Sequence, residues 1–327
     1  MTTTSLPALA VTGLTVRFAL GRARGRRIPP QVHAATDVSF DLHPGRVLAL
    51  VGESGCGKSV LTGALLGLLP ANATVTGAAG LSGPAGSLDL LTTGRTTLAR
   101  QVRGRRIALV PQSAATSLTP VRSARAQLEE VVRELCPGTD ARVRADSLAE
   151  RVGLAPADLD RFPHELSGGM AQRVAVALAL AGEPQVVLAD EPTAGLDRPL
   201  VDRTLGLLRE VADAGCAVLL ITHDLGALRR VPGAVDDVAV MYAGRLLESG
   251  PAADVLAAPG HDYTRELLAA LPSGGLVPIP GQPPQLTDLP AGCAWHRRRP
   301  GRCDGGDVVH RTGARSVRCR ALEAGPC

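Results

Sequence analysis

Lysine is almost absent from this sequence. Of its 35 basic residues, 34 are arginine and one, Lys58, is lysine. Arginine and lysine differ most where a compact ammonium must sit between phosphate oxygens, so the position of that single lysine is informative. Aromatic residues are also scarce, at 2% of 327 residues, while hydrophobic residues reach 45%. The core must therefore be aliphatic, as in parallel sheets covered by helices. No apolar run approaches the roughly 18 residues that span a bilayer. Met1–Ala10 lacks a basic stretch followed by an apolar one, which predicts a chain with no secretory leader that stays in the cytoplasm. The net charge of +4 is spread along the chain and is too mild to argue for nucleic acid.

Apolar periodicity gives the architecture. Residues 9–18 and 34–42 read as strands, with Gly21–Pro30 a loop between them. Val47–Val51 is a fully apolar strand, Gly52–Ser59 is glycine-rich, and Val60–Leu69 reads as an apolar helix. Residues 71–94 are rich in Gly, Thr and Ser and predict loops with short strands. Further strands are expected at Ile107–Val110, Gln185–Ala189 and Ala217–Thr222, with a helix from about Pro199 to Ala214. Residues 123–183 predict helices broken at Pro137-Gly138 and Pro156. Strands alternating with helices point to an α/β, doubly wound sheet. Short helices are expected near 254–258 and 263–270. Beyond Pro272 periodicity fades into Pro, Gly, Arg and Cys. No internal repeat occurs, so a single module is expected.

Three motifs carry the chemistry. Gly52-Glu53-Ser54-Gly55-Cys56-Gly57-Lys58-Ser59 fits G-x-x-x-x-G-K-S/T in full, and it lies between an apolar strand and a helix. Its glycines let backbone N–H groups point at phosphates, with Lys58 on the β- and γ-phosphates and Ser59 on Mg²⁺. Asp190 and Glu191 close an apolar strand; the first can hold Mg²⁺ and the second can orient and deprotonate a water. Ser167, Gly168 and Gly169 open a helix. They read either as an ordinary cap or as a second phosphate site. One triphosphate needs only one cradle in its own chain, so the second reading implies a dimer in which each site borrows the partner's helix.

Loop, helix opening and carboxylate pair, in this order and at this spacing over residues 9–271, resemble the ATPase subunits of ABC transporters. The resemblance implies an α/β P-loop NTPase of ABC type, with a mixed sheet core and a helical subdomain carrying Ser167. By the same resemblance Gln112 contacts Mg²⁺ and faces the permease, His223 contacts the γ-phosphate, Asp197 signals across the dimer and Phe18 stacks on adenine. The expected layout is an ATPase domain over 1–250, with its helical subdomain at about 113–183, and a C-terminal extension over 251–327.

Val102–Gln112, Thr116–Pro120 and Pro259–Leu268 are similar to the oligopeptide, dipeptide and nickel importer subfamily. That implies ATP and Mg²⁺ as cofactors and a peripheral place on the cytoplasmic face of the membrane. It implies as partners a second ATPase chain forming a heterodimer, two permease subunits and an extracytoplasmic solute-binding protein, with no nucleic acid. The alternative is a soluble, non-transport ABC ATPase acting on nucleic acid.

Four of the seven cysteines, Cys293, Cys303, Cys319 and Cys327, fall in the last 35 residues. In a cytoplasmic chain such a cluster suggests metal before disulfides. Members of the resembled subfamily often end in four cysteines, some of which hold a 4Fe–4S cluster. Here the spacing is irregular, and Asp304 and Asp307 stand where a third cysteine is expected. The tail therefore has two readings, a metal site or a degenerate Arg-rich segment.

Overall fold

The computed structural model describes residues 6–21, 29–84, 86–290, 292–300 and 308–318. The Arg-rich part of the Gly21–Pro30 loop, and Cys303, Cys319 and Cys327, lie outside them. The chain divides into two compact units. One comprises residues 1–8, 42–47 and 93–222; the other comprises 9–41, 48–92 and 223–327.

In the first unit, strands Ile107–Val110, Val186–Asp190 and Ala217–Thr222 run parallel in that order. All six residues of Ala217–Thr222 are buried, as expected of strands covered on both faces. The main helices of this unit are Ala124–Leu135, Ala141–Arg151, Gly168–Leu180 and Arg198–Asp213. Their starts are set by capping: Ser123 Oγ accepts from Ala126 N at 3.2 Å and Asp140 Oδ1 from Arg142 N at 2.9 Å. The buried Arg125 guanidinium ties the first two together. It donates to Asp146 Oδ1 at 2.6 Å, to the Pro156 carbonyl at 2.7 Å and to Asp160.

In the second unit, four antiparallel strands run in the order Gln31–Leu42, Leu9–Ala19, Ala73–Gly83, Gly86–Asp89. The apolar spacing from Val11 to Leu14 is three rather than two because a bulge shifts the register between Thr12 and Thr15. Ala73–Gly83 is one strand of 11 residues, where only short strands were expected. Its small residues pair along Leu9–Phe18, so the partner strand defines it rather than its own propensity.

A second set of strands in this unit orders Val309–Thr312, Arg315–Arg318, Arg245–Pro251, Asp237–Tyr242 and Val47–Val51. Val47–Val51 is parallel to Asp237–Tyr242, with Leu50 opposite Ala239. The hairpin Asp237–Pro251 turns at Ala243 and Gly244, whose φ values are +47° and +80°. Positive φ at both central positions is the type I′ geometry that matches strand twist. Sequence periodicity assigned no element there. The tail also carries more order than expected: a helix, Ala294–Arg298, and the hairpin Val309–Arg318. That hairpin is held by charge rather than by apolar alternation. Arg315 pairs with the fully buried Glu248, and Arg318 with Asp37 at 3.1 Å. Glu248 also accepts from the Gly260 and His261 N–H groups, so its buried charge is compensated.

Candidate functional site

The phosphate loop lies in the second unit. It leaves strand Val47–Val51 at Gly52 and enters helix Lys58–Leu65 through Gly57. Gly52 has φ +154°, and a Cβ there would stand 2.1 Å from the Met241 carbonyl oxygen. Gly57 has φ +106°, and a Cβ would meet the Ala34 carbonyl oxygen at 2.0 Å. These two glycines are therefore obligatory for the path of the loop. Inside it Cys56 N–H donates to the Glu53 carbonyl at 3.3 Å, and Gly244 N–H donates to the Cys56 carbonyl at 2.9 Å. The hairpin turn at Gly244 thus braces the loop from behind. Burial pushes the Cys56 thiol up, so it stays protonated and inert.

Lys58 is buried, and its ammonium donates to the carbonyls of Gly52 at 2.8 Å and Glu53 at 3.1 Å. The cation is held in the hollow of the loop, at the positive end of the following helix. Ser54 and Gly55 form its exposed tip, and Ser59 is exposed at the helix start. Phe18 is half-buried at the end of its strand, opposite Ala73. His223 is exposed, one residue before Asp224, which caps helix Leu225–Arg230 by accepting from Ala227 N at 2.8 Å.

The first unit holds the remaining expected residues. Asp190 ends strand Val186–Asp190 opposite Ile221. Glu191 follows at φ +47°, a left-handed conformation that costs a non-glycine residue roughly 1–3 kcal/mol and recurs at functional sites. Its N–H donates to the Ile221 carbonyl at 2.9 Å, and its own carbonyl accepts from Ala194 N at 3.1 Å. Both carboxylate residues are half-buried.

Ser167 caps helix Gly168–Leu180 by accepting from Met170 N at 3.3 Å. Ser167 and Gly168 are exposed while Gly169 is buried; a Cβ on Gly169 would fall 2.5 Å from Leu200 Cδ2. Leu200 belongs to helix Arg198–Asp213, whose cap is Asp197, accepting from Leu200 N at 3.0 Å. The Ser167 helix and the Asp197 turn are therefore packed against each other. Gln112 is exposed, two residues beyond strand Ile107–Val110.

In the second unit Ser59 offers a hydroxyl oxygen; in the first, Gln112 and Asp190 offer an amide and a carboxylate oxygen. Oxygen donors of these kinds suit a hard cation such as Mg²⁺. Of the four tail cysteines, Cys293 is described; it is buried at the start of helix Ala294–Arg298. Among the described residues no group of three metal-ligating side chains occurs. Two residues that sequence reading passed over touch the phosphate loop. Tyr263 Oη accepts from Glu53 N–H at 3.2 Å, and Arg298 pairs with the Glu53 carboxylate at 2.9 Å. Neither was given a role from sequence: Tyr263 falls within the Pro259–Leu268 segment, and Arg298 is one arginine among 34.

Comparison with known proteins identifies the family. The ABC transporter family model matches residues 35–194, and the model of the oligopeptide/dipeptide transporter C-terminal region matches 247–305. The probable D,D-dipeptide transport ATP-binding protein DdpD of Escherichia coli is 42% identical over 279 residues, covering 82% of this chain and 83% of that protein. The dipeptide transport ATP-binding protein DppD of Bacillus subtilis is 39% identical, covering 84% of each. The oligopeptide transport ATP-binding protein OppD of Mycobacterium tuberculosis is 39% identical, and the chain spans only 48% of its length.

Among solved structures, cbiO1 from Clostridium perfringens, part of the cbiONQ ABC transporter complex, superposes with a TM-score of 0.61 at 28% identity. It covers 83% of this chain and 98% of its own. A dimeric ATP-binding cassette in a post-hydrolysis state with ADP and Pi shares the fold, with a TM-score of 0.62 at 23% identity over 75% of this chain and 98% of its own.

The protein is an α/β P-loop ATPase with mixed sheets. It belongs to the ABC transporter family, as an ATP-binding subunit with ATPase chemistry. Among the described residues no helix is long and apolar enough to cross a membrane.

Proposed function

We propose that this chain is the ATP-hydrolysing subunit of a peptide importer, working at the inner face of the membrane with permease subunits and a solute-binding protein. The observation that carries this reading is the pairing of a complete phosphate loop with a C-terminal region of oligopeptide/dipeptide transporter type at residues 247–305. The relatives named above are transport proteins, which favours transport over action on nucleic acid. The ATPase domain ends near residue 250, with its helical subdomain at about 113–183, and the extension follows over 251–327.

In this reading Gly52–Ser59 hold the triphosphate, Lys58 neutralises its β- and γ-oxygens, and Phe18 packs on the adenine. Ser59, Gln112 and Asp190 would hold Mg²⁺, which would supply positive charge against the triphosphate. Glu191 takes the proton from the attacking water, aimed by the turn that its left-handed backbone creates. His223 contacts the γ-phosphate. The Ser167–Gly169 helix end faces the nucleotide of a second ATPase chain, a related but different one, and Asp197 beside it carries the state of one site to the other. Gln112 passes that state to the permease.

The experiment is uptake of a labelled dipeptide by cells that carry the chain with its neighbouring transport genes, compared with cells in which only this chain is deleted. Loss of uptake on deletion, restored by the wild-type chain and not by Lys58→Ala, is the expected result. Unchanged uptake would remove the peptide assignment and leave the ATPase chemistry standing.

A further inference from the structure

Aromatic residues are rare here, yet the only tryptophan and both tyrosines meet at one place. The rings of Trp295, Tyr242 and Tyr263 lie 4.6–5.6 Å apart, centroid to centroid, and all three side chains are fully buried. Against Trp295 and Tyr242 lies the Arg298 guanidinium, at 5.6 and 5.9 Å from the ring centroids. Its nitrogens donate to the carbonyls of Pro280 at 3.0 Å and Gly281 at 3.1 Å, and to both carboxylate oxygens of Glu53, at 2.9 and 3.2 Å. The Arg298 side chain is 4% exposed. Burial pushes the Tyr242 phenol up to about 12 and raises that of Tyr263 further, so both rings stay neutral and Arg298 is the cation of the cluster.

Glu53 is no ordinary surface carboxylate. Its carbonyl accepts from the Lys58 ammonium at 3.1 Å, and its N–H donates to Tyr263 Oη at 3.2 Å. Its backbone therefore forms part of the phosphate cradle while its side chain reaches the C-terminal tail. A carboxylate at the rim of a triphosphate site repels the ligand unless it is neutralised and held aside, and in a half-buried setting that repulsion is weakly screened.

We infer that Arg298 is a positioning residue for nucleotide binding: from the C-terminal tail it neutralises and holds the Glu53 carboxylate, so that tail docking and MgATP affinity are coupled. The inference rests on the phosphate loop being the nucleotide site. It gives the extension a role in the ATPase itself, through a cation that no ATPase motif contains.

The test is MgATP affinity of the full-length protein by titration calorimetry, for wild type, Arg298→Gln, Glu53→Gln and the double variant. The melting temperature and the Trp295 emission of each nucleotide-free protein are recorded alongside. Arg298→Gln is expected to weaken binding about tenfold, the scale of one charge-assisted contact. Adding Glu53→Gln removes the exposed charge and should bring affinity back to within about twofold of wild type. If Arg298 only staples the tail, that rescue is absent, because neutralising Glu53 restores no anchor. A double variant as weak as Arg298→Gln, or an Arg298→Gln protein with wild-type affinity, overturns the proposal.

Should Arg298→Gln undock the tail, seen as a red-shifted Trp295 emission, Arg298→Lys decides. It keeps a positive charge beside Glu53 but not the fork geometry, so affinity should lie between that of Arg298→Gln and wild type, whereas affinity no better than that of Arg298→Gln overturns the proposal. Wild-type protein that binds no MgATP would instead refute the nucleotide site.

Discussion

The Lys58 ammonium lies 2.8 Å from the carbonyl oxygen of Gly52, the residue at which the loop leaves its strand. A Cβ at Gly52 would strike the Met241 carbonyl, and Lys58 is itself buried beside Cys56. The hollow is shaped by backbone and has room for a narrow cation. Lys58→Arg should therefore weaken MgATP binding by at least about tenfold, although the charge is kept, because a planar guanidinium is too wide for the space. Titration calorimetry measures this directly. Wild-type affinity in the variant would mean that the lone lysine has no steric meaning.

The contact between Gly169 and Leu200 packs the Ser167 helix end against the turn capped by Asp197, leaving Ser167 and Gly168 exposed. On the proposed reading this exposed helix end serves a partner chain rather than its own. Ser167→Arg should leave MgATP affinity of the isolated subunit within about twofold of wild type while abolishing ATP-dependent pairing of ATPase subunits, because it puts bulk and charge on a packed surface. Affinity and crosslinking through residue 167 are measured together. Lost affinity in the isolated subunit would show that this helix acts within its own chain.

Arg125 is the hub of the helical part of the first unit, bonded to Asp146, Asp160 and the Pro156 carbonyl. Arg125→Met strands those acceptors and should destabilise the protein by about 2–4 kcal/mol, read by urea unfolding. The Arg125 hydrogen bond holds the Asp160 carboxyl below the usual carboxylate range. A depressed folded-state pKa contributes stability above the unfolded value, near 4, and loses it as pH falls through the folded one. The melting-temperature gap between wild type and Asp160→Asn should thus be open at neutral pH and close as pH drops below about 4. A gap independent of pH would show that the charge of Asp160 plays no part.

The tail is fastened by named contacts: Arg298 to Glu53, Arg315 to Glu248, Arg318 to Asp37, and Trp295 against two tyrosines. None of these contacts is made by a cysteine, so on the reading of the tail as a degenerate Arg-rich segment a chelator should leave the Trp295 emission and melting temperature unchanged. A 4Fe–4S cluster on Cys293, Cys303, Cys319 and Cys327 would give brown, anaerobically purified protein absorbing near 400 nm, roughly where thiolate-ligated clusters absorb. Colour together with chelator-induced release of Trp295 would make the tail a metal domain.

What could be read from sequence followed the strength of local signals. Val47–Val51, Ile107–Val110 and Ala217–Thr222 have the ends that their apolar runs imply, because buried parallel strands write themselves as continuous hydrophobic stretches. The phosphate loop was legible because backbone geometry forces glycine at 52 and 57. Ala73–Gly83 was not, since its partner strand makes it a strand. The hairpin Val309–Arg318 was missed because ion pairs between residues 67 and 281 positions apart fasten it, and no periodicity encodes them. Arg298 was hidden for the same reason: its partner Glu53 lies 245 residues away.

On the proposed reading, the left-handed turn after Asp190 presents Glu191 as the base for ATP hydrolysis. The most direct measurement is the steady-state MgATPase rate of Glu191→Gln, taken with MgATP affinity on the same preparation. The amide keeps size and hydrogen bonding but cannot take the proton, so affinity should be unchanged and the rate should fall by about 10²–10⁴-fold, the contribution of a general base. A variant that binds MgATP and hydrolyses it within a few-fold of the wild-type rate would contradict the role given to Glu191.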